Sequence, residues 1–257
     1  MTTRQNIDHL TATELAQLRA GYAGMQALSD NRGFNAIAGY HKVPLNLCYH
    51  HEEPTMFLPW HRGYMLTFEQ FLMDQNPGLT LPYWDWTSPT SHLKGVPVAF
   101  SAHTQTGGKP NPLYRSMINA PTATPAVKRW TKRYPGSPKN LPTLTNVQAV
   151  LAIADYPTFC SKLQDIHDAV HVWTGGQKGD MAFLDFAAYD PIFFSHHCMI
   201  DRIWDRWQQI HGITNIKPSL VNRPLRGFDN LTVASVLDTS ELGYSYASDE
   251  IVLDEKT

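Results

Sequence analysis

The placement of twelve histidines in 257 residues constrains this chain more than any other feature of its sequence. His41, His50, His51 and His61 gather in one half, and His167, His171, His196 and His197 in the other. His167 and His171 stand four apart inside Thr158–Trp173, where Phe159, Leu163, Ile166 and Val170 recur at helical spacing. Four residues is about one helical turn, so both imidazoles project from one face, close enough to share a metal ion. Neutral imidazole is the commonest transition-metal donor at physiological pH, although the same spacing also suits packed or solvated histidines. A zinc-protease site needs Glu directly after the first His; Asp168 stands there, one methylene shorter, and no third ligand follows in pattern.

A helix is also expected over Pro191–Gln209, where Phe193, His197, Ile200, Trp204 and Trp207 step by four and three. Neighbouring helix positions point about 100° apart, so His196 and His197 should not both face one metal. His197 shares the apolar stripe and is the inward candidate. In the first half, the four histidines precede or begin a helix over Pro59–Asp74, with His61, Met65, Phe68 and Leu72 on one stripe. Pro59 suits its first turn, and Asn76-Pro77-Gly78 stops it. One three-histidine site per half is the arrangement of a dinuclear copper centre. All-imidazole ligation suits copper cycling between its two oxidation states and leaves positions open for dioxygen. The Glu-x-x-His spacing of diiron bundles is absent from the sequence.

Around these segments the sequence predicts a mainly α fold. A four-helix-bundle core would hold the metal site, with long irregular loops and a few short strands, as a single domain over residues 1–257. Thr11 and Glu14 make a capping-box pattern before Leu15, Leu18, Tyr22 and Met25. Nine of the eighteen prolines fall between Ser88 and Pro142, so residues 88–142 should form an irregular excursion with short helices or a hairpin. Phe100, Tyr114, Trp130 and Tyr134 should keep it packed on the domain. Seven Trp, eleven Tyr and eleven Phe exclude a disordered chain. A net charge of −2 gives no overall basic footprint, so no nucleic-acid partner is expected. Ala149–Ala154 is the longest clean apolar run, which excludes a membrane-spanning helix. Three cysteines exclude a disulfide scaffold. The N-terminus carries no secretory signal, so a cytoplasmic or a processed secreted protein is expected.

Three runs of residues add a family resemblance. Phe57-Leu58-Pro59-Trp60-His61-Arg62-Gly63-Tyr64, Leu81-Pro82-Tyr83-Trp84-Asp85-Trp86, and Asp190-Pro191-Ile192-Phe193-Phe194-Ser195-His196-His197 followed by Asp201-Arg202-Ile203-Trp204 closely resemble the type 3 copper proteins, the tyrosinase, catechol oxidase and polyphenol oxidase family. The resemblance covers nearly the whole chain, with the proline-rich middle least matched. It implies two copper ions that bind dioxygen, with His41 and His61 as first and third ligands of CuA and His167, His171 and His197 as the ligands of CuB. The family's usual position for the middle CuA ligand holds Glu52, which places that ligand at His50 or at His51. Cys48-Tyr49-His50 resembles the Cys-x-His of fungal members, which implies a thioether between Cys48 and His50. Tyr244-Ser245-Tyr246 resembles the Tyr-x-Tyr motif that packs near an N-terminal arginine such as Arg4, and no domain that plugs the copper site is expected after it.

The activity implied is oxidation of o-diphenols to o-quinones by dioxygen, with ortho-hydroxylation of monophenols left open. Family tyrosinases often carry Asn after the first CuB histidine and a nearby Glu that orders a water. Here Asp168 takes the first place and Leu163 the second, with Gln164 and Asp165 beside it. Asp168 is itself a candidate base. Phe193 should pack under the copper pair, Leu184 should stand where plant enzymes place a gating Phe, and Asp190 and Arg202 should be structural. The alternatives are an oxygen carrier of the haemocyanin kind, without turnover, and a zinc hydrolase using His167 and His171. No oligomeric state is implied.

Overall fold

The computed structural model describes residues 1–49, 52–213 and 216–248. Its helices are α1 (Ala12–Ala27), α2 (Phe34–Ala38), α3 (Pro54–Gln75), α4 (Pro89–Lys94), α5 (Val98–Ser101), α6 (Leu144–Leu151), α7 (Tyr156–Gly175), α8 (Ile192–His211) and α9 (Pro218–Val221). The long ones, α1, α3, α7 and α8, form the core: α3 packs against the other three, and α7 meets α8. This is the predicted mainly α bundle. Among the described residues no helix is long and apolar enough to cross a membrane.

Local chemistry sets the helix ends. Thr11 accepts from the Glu14 amide while the Glu14 carboxylate accepts from the Thr11 amide, closing the capping box of α1. Leu18, Tyr22 and Met25 then bury one face of that helix against α3. Asp155 caps α7 through the Thr158 amide at 3.0 Å. The start of α3 differs from the expectation. It begins at Pro54, which takes the first-turn position, and Pro59 lies inside the helix. A proline there removes the bond to the carbonyl four residues back, at Thr55. The Tyr156 hydroxyl from α7 donates to that carbonyl at 3.1 Å, so the lost bond is replaced from a neighbouring helix.

Aromatic side chains fill the centre. Phe68 on α3 and Phe194 on α8 stack at 3.5 Å between ring centroids, and Trp204 and Trp207 are fully buried. Each such burial contributes about 1.5–3 kcal/mol. Charges are also inside, but paired. The strand β1 (Thr2–Arg4) lies parallel to the C-terminal strand Tyr244–Tyr246, pairing Arg4 with Tyr246. Arg4 bonds Glu69 at 2.6 Å and Asp201 at 3.2 Å, and its guanidinium covers the Tyr244 ring at 3.7 Å. Asp201 also accepts from Arg62 and from the Tyr244 hydroxyl at 2.7 Å. Burial raises the Asp201 pKa, yet Arg62, Arg4 and the tyrosine hydroxyls bring it below the ordinary carboxylate value. The Tyr-x-Tyr motif thus meets Arg4, as expected from the sequence.

The excursion carries α4, α5 and a hairpin of β2 (Met117–Ala120) and β3 (Val127–Trp130), joined antiparallel. It is packed down. Arg133 pairs with buried Asp190 at 2.7 Å and also donates to the carbonyls of Phe100 and Leu113. Trp173 on α7 donates to the Ser137 carbonyl at 2.8 Å. Asp190 is accordingly structural, as is Arg202, whose guanidinium covers the Tyr83 ring at 4.4 Å. The strand Tyr244–Tyr246 completes the set as β4.

Candidate metal centre

The motif around Pro59 divides its labour by helix face. Trp60 donates to the Arg226 carbonyl at 3.0 Å, and Arg62 turns away to Asp201, Gln208 and the carbonyls of Val236 and Leu237. His61 is left pointing into the bundle. On α7, His167 and His171 face the same space, and His197 reaches it from α8. The Nε2 atoms of His167 and His171 each lie 3.2 Å from Nε2 of His197. These three predicted ligands are therefore brought together, and all three are buried.

In four of these histidines the other ring nitrogen is held by an oxygen, whereas Nδ1 of His197 is buried without a hydrogen-bond partner among the described residues. His167 Nδ1 donates to the Asp168 carboxylate at 2.8 Å, and His171 Nδ1 to the Met181 carbonyl at 2.8 Å. His61 Nδ1 donates to the Phe57 carbonyl at 2.8 Å, and His41 Nδ1 to the Leu184 carbonyl at 3.3 Å. An Nδ1–H committed in this way leaves the Nε2 lone pair free for a metal and fixes the ring direction. With Nδ1 protonated on His167 and His171, their Nε2 lone pairs converge on His197. A single shared proton satisfies one of those two contacts, whereas a cation satisfies both. Burial and the neighbouring imidazoles also push the His197 pKa well below its ordinary value, which favours the neutral form that a metal requires.

His41 and His61 form the second cluster, together with Cys48. His41 lies in the turn after α2, and the Cys48 amide closes that loop on the His41 carbonyl at 3.2 Å. Cys48 Sγ lies 3.7 Å from His61 Nε2. His50 and His51 lie outside the described residues, and with them the expected Cys48–His50 thioether. The two clusters adjoin: His61 stacks on His197 at 4.3 Å, and Phe193 packs edge-on to His41 at 5.0 Å and against His197 at 4.1 Å. Phe193 therefore touches both sets.

His196 departs from the expectation for adjacent helix residues. Its ring stacks on His167 at 5.2 Å, and its donor atom belongs to the same buried cluster as those of His167, His171 and His197. Sequence spacing gave no sign of this, because the angle between neighbouring positions says nothing of which helix packs opposite. Of the positions near Asp168, Leu163 and Gln164 are buried and Asp165 is exposed. Asp168, His171, Val172, Leu184 and His41 line a cavity of about 210 Å³ against the imidazole cluster.

Residues 31–210 match the common central domain of tyrosinase. The chain belongs to the tyrosinase family, the type 3 copper proteins. Its curated relatives include the G-type haemocyanin of Enteroctopus dofleini, 31% identical over 83% of this chain and 8% of that protein. The tyrosinase of Streptomyces glaucescens is 28% identical over 73% of this chain and 77% of that enzyme. Among solved structures, an octopus haemocyanin functional unit superposes with a TM-score of 0.82 at 25% identity, covering 98% of this chain and 69% of its own. The Burkholderia thailandensis tyrosinase at low pH superposes at 0.84 and 20% identity, over 100% and 76% of the two chains. The chain thus spans a small part of the multi-unit haemocyanins and about three quarters of the tyrosinases. Type 3 copper proteins hold two copper ions and bind dioxygen, and the two adjoining imidazole-rich clusters here fit that pair.

Proposed function

We propose that this chain is a copper oxidase that uses dioxygen to convert o-diphenols to o-quinones. The cavity beside the imidazoles carries that reading. Its volume of about 210 Å³ greatly exceeds the ~30 Å³ of one small molecule such as water. Dioxygen alone needs no such space, whereas a single aromatic ring fills it. The lining is chiefly apolar, with Val172, Met181, Ala182, Leu184 and Ala187 to grip a ring and Asp168 to meet its polar edge.

CuA would be held by His41, His61 and the imidazole of His50 or His51, and CuB by His167, His171 and His197. The bound copper pair supplies the two-electron exchange with dioxygen. The protein does the rest. Phe57 packs against the rings of His61 and His167, and Phe193 against that of His197, which holds them in place. Asp168 orients His167 through Nδ1 and lines the cavity, where its carboxylate is placed to take up a phenolic proton. Leu184 forms one side of the ring slot, so substituted catechols should enter. A Cys48–His50 thioether would fix the middle CuA ligand.

An oxygen carrier is the competing reading, supported by the haemocyanin relatives at similar identity. Copper-loaded protein mixed with catechol in air decides between them. Stoichiometric oxygen uptake with quinone absorbance is expected; reversible oxygen binding with catechol unconsumed would make the chain a carrier. The same assay with paired monophenols and diphenols tests hydroxylation.

A further inference from the structure

The net charge of −2 conceals a strong segregation. Between Trp86 and Ala154 lie eight of the 21 lysines and arginines, from Lys94 to Lys139, and none of the 23 acidic residues. The remaining 13 bases share the rest of the chain with all 23 acids. Two of the eight are consumed inward: Arg129 bonds Asp180 at 2.5 Å and Arg133 bonds Asp190 at 2.7 Å. Both belong to one extended stretch that starts in β3, and side chains along such a stretch alternate between its two sides. Its inner side is Arg129, Thr131 and Arg133. Its outer side is Lys128, Trp130, Lys132 and Tyr134, all exposed, with Trp130 at 44% and Tyr134 at 52%.

Main-chain bonds hold the stretch straight after β3 ends. The Thr131 amide donates to the Ser116 carbonyl, the Asp180 amide to the Lys132 carbonyl, and the Tyr134 amide to the Thr174 carbonyl. The result is a fixed ladder of alternating cation and aromatic ring. Arg115 flanks it, with its guanidinium 4.8 Å from the Trp130 ring. Two open clefts, of about 630 and 350 Å³, meet along this edge at Tyr114 and Arg115.

We propose that this ladder is a docking surface for a linear acidic polysaccharide carrying carboxylates on alternate sugars. Flat sugar faces would rest on Trp130 and Tyr134, and carboxylates would meet Lys128, Lys132 and Arg115. The sparseness of the charge favours this ligand. At ~3.3 Å per residue, the two lysines stand about 13 Å apart, as do the two rings. A strand of duplex DNA carries a phosphate about every 3.4 Å of helix axis, so it would present several charges for each cation here. Exposed aromatics between the cations favour a chain with a flat, uncharged face over a short acidic peptide.

Affinity electrophoresis of the full chain through gels containing hyaluronan, whose glucuronates alternate with neutral sugars, tests the assignment. Retardation is expected, equal with and without copper and abolished by salt. Neutral cello-oligosaccharide should compete poorly. Lys128→Glu with Lys132→Glu should weaken retention about tenfold or more, and Trp130→Ala should weaken it while leaving the salt dependence in place. These side chains lie on the surface outside the copper site, so melting temperature and catechol turnover should not change. No retardation, retention unaltered by the double substitution, tighter binding of oligo(dT) than of hyaluronan, or mobility explained by self-association in gel filtration would each overturn the proposal.

Discussion

The two halves of the proposed copper site are built differently. The CuB half takes His167, His171 and His197 from two long helices that touch each other. On the proposed assignment the CuA half takes His61 from a helix but His41 from a turn, with His50 or His51 as its third ligand. Their supports differ too. His167 and His171 are held from within their own neighbourhood, by the next residue and by the carbonyl of Met181. His41 is held by the carbonyl of Leu184, which follows α7 and belongs to the other half. The helical half is therefore organised by its own packing, while the loop half takes part of its geometry from it.

That asymmetry is sharpest in single-ligand deletions. His197→Ala should abolish catechol oxidation and lower copper content from two ions toward about one, because His167 and His171 alone leave a two-coordinate site. His196→Ala should keep both coppers, since its ring stacks on His167 while the close Nε2 contacts are those of His167 and His171 with His197. Copper analysis with a catechol assay reads both. Full activity in the first and loss in the second would show that the ligand is His196.

The next effect concerns the segment that serves both halves. Asp180 is held by Arg129 and by the Lys132 amide at 2.8 Å, and the same short turn presents the carbonyls of Met181 and Leu184. Asp180→Ala should loosen that turn and weaken copper at both sites, by about ten- to a hundredfold as is usual for groups that orient ligands. Lys132→Ala, which removes an exposed side chain and leaves the amide, should not. Competition titration with a chelator follows each copper separately. Loss confined to CuB would break the claim that CuA leans on this turn.

A smaller change should stay in the CuA half. Cys48→Ala removes the thiol that sits against His61 and, on the proposed reading, the bond to His50. Copper at CuA should be held several-fold less tightly, with CuB unaffected. Intact mass of the loaded wild-type protein should fall by one molecule of hydrogen. A Cys48 that alkylates freely in the active enzyme would favour His51 over His50 as the middle ligand.

The same asymmetry explains what could be read from sequence. His167, His171 and His197 announce themselves because apolar periodicity fixes which way a helical side chain points. The capping box at Thr11 and the hairpin-bearing excursion were legible for similar local reasons. Other features depended on partners remote in the chain. The extra turn of α3 before Pro59 is tolerated because Tyr156, far along the sequence, meets the Thr55 carbonyl. The acceptors for His41, His61 and His171 are main-chain carbonyls, which every residue owns and no motif marks. His196 joined the cluster through helix packing that its spacing did not encode.

The smallest expected effect tests the mouth of the site, where the halves meet. Leu184 contributes twice: its carbonyl holds His41, and its side chain lines the cavity opposite α7. Leu184→Phe separates these roles, because the carbonyl remains while the side chain becomes larger and planar. Copper content should therefore stay unchanged. The entrance should narrow, raising KM about threefold for bulky 4-substituted catechols and little for catechol itself, in keeping with the modest discrimination of an apolar pocket. A fall in copper would mean that side chain and carbonyl cannot be separated, and that the gate is part of the CuA support. An unchanged ratio of bulky to small substrates would instead move the gate across the cavity to Val172, which is 59% exposed on α7.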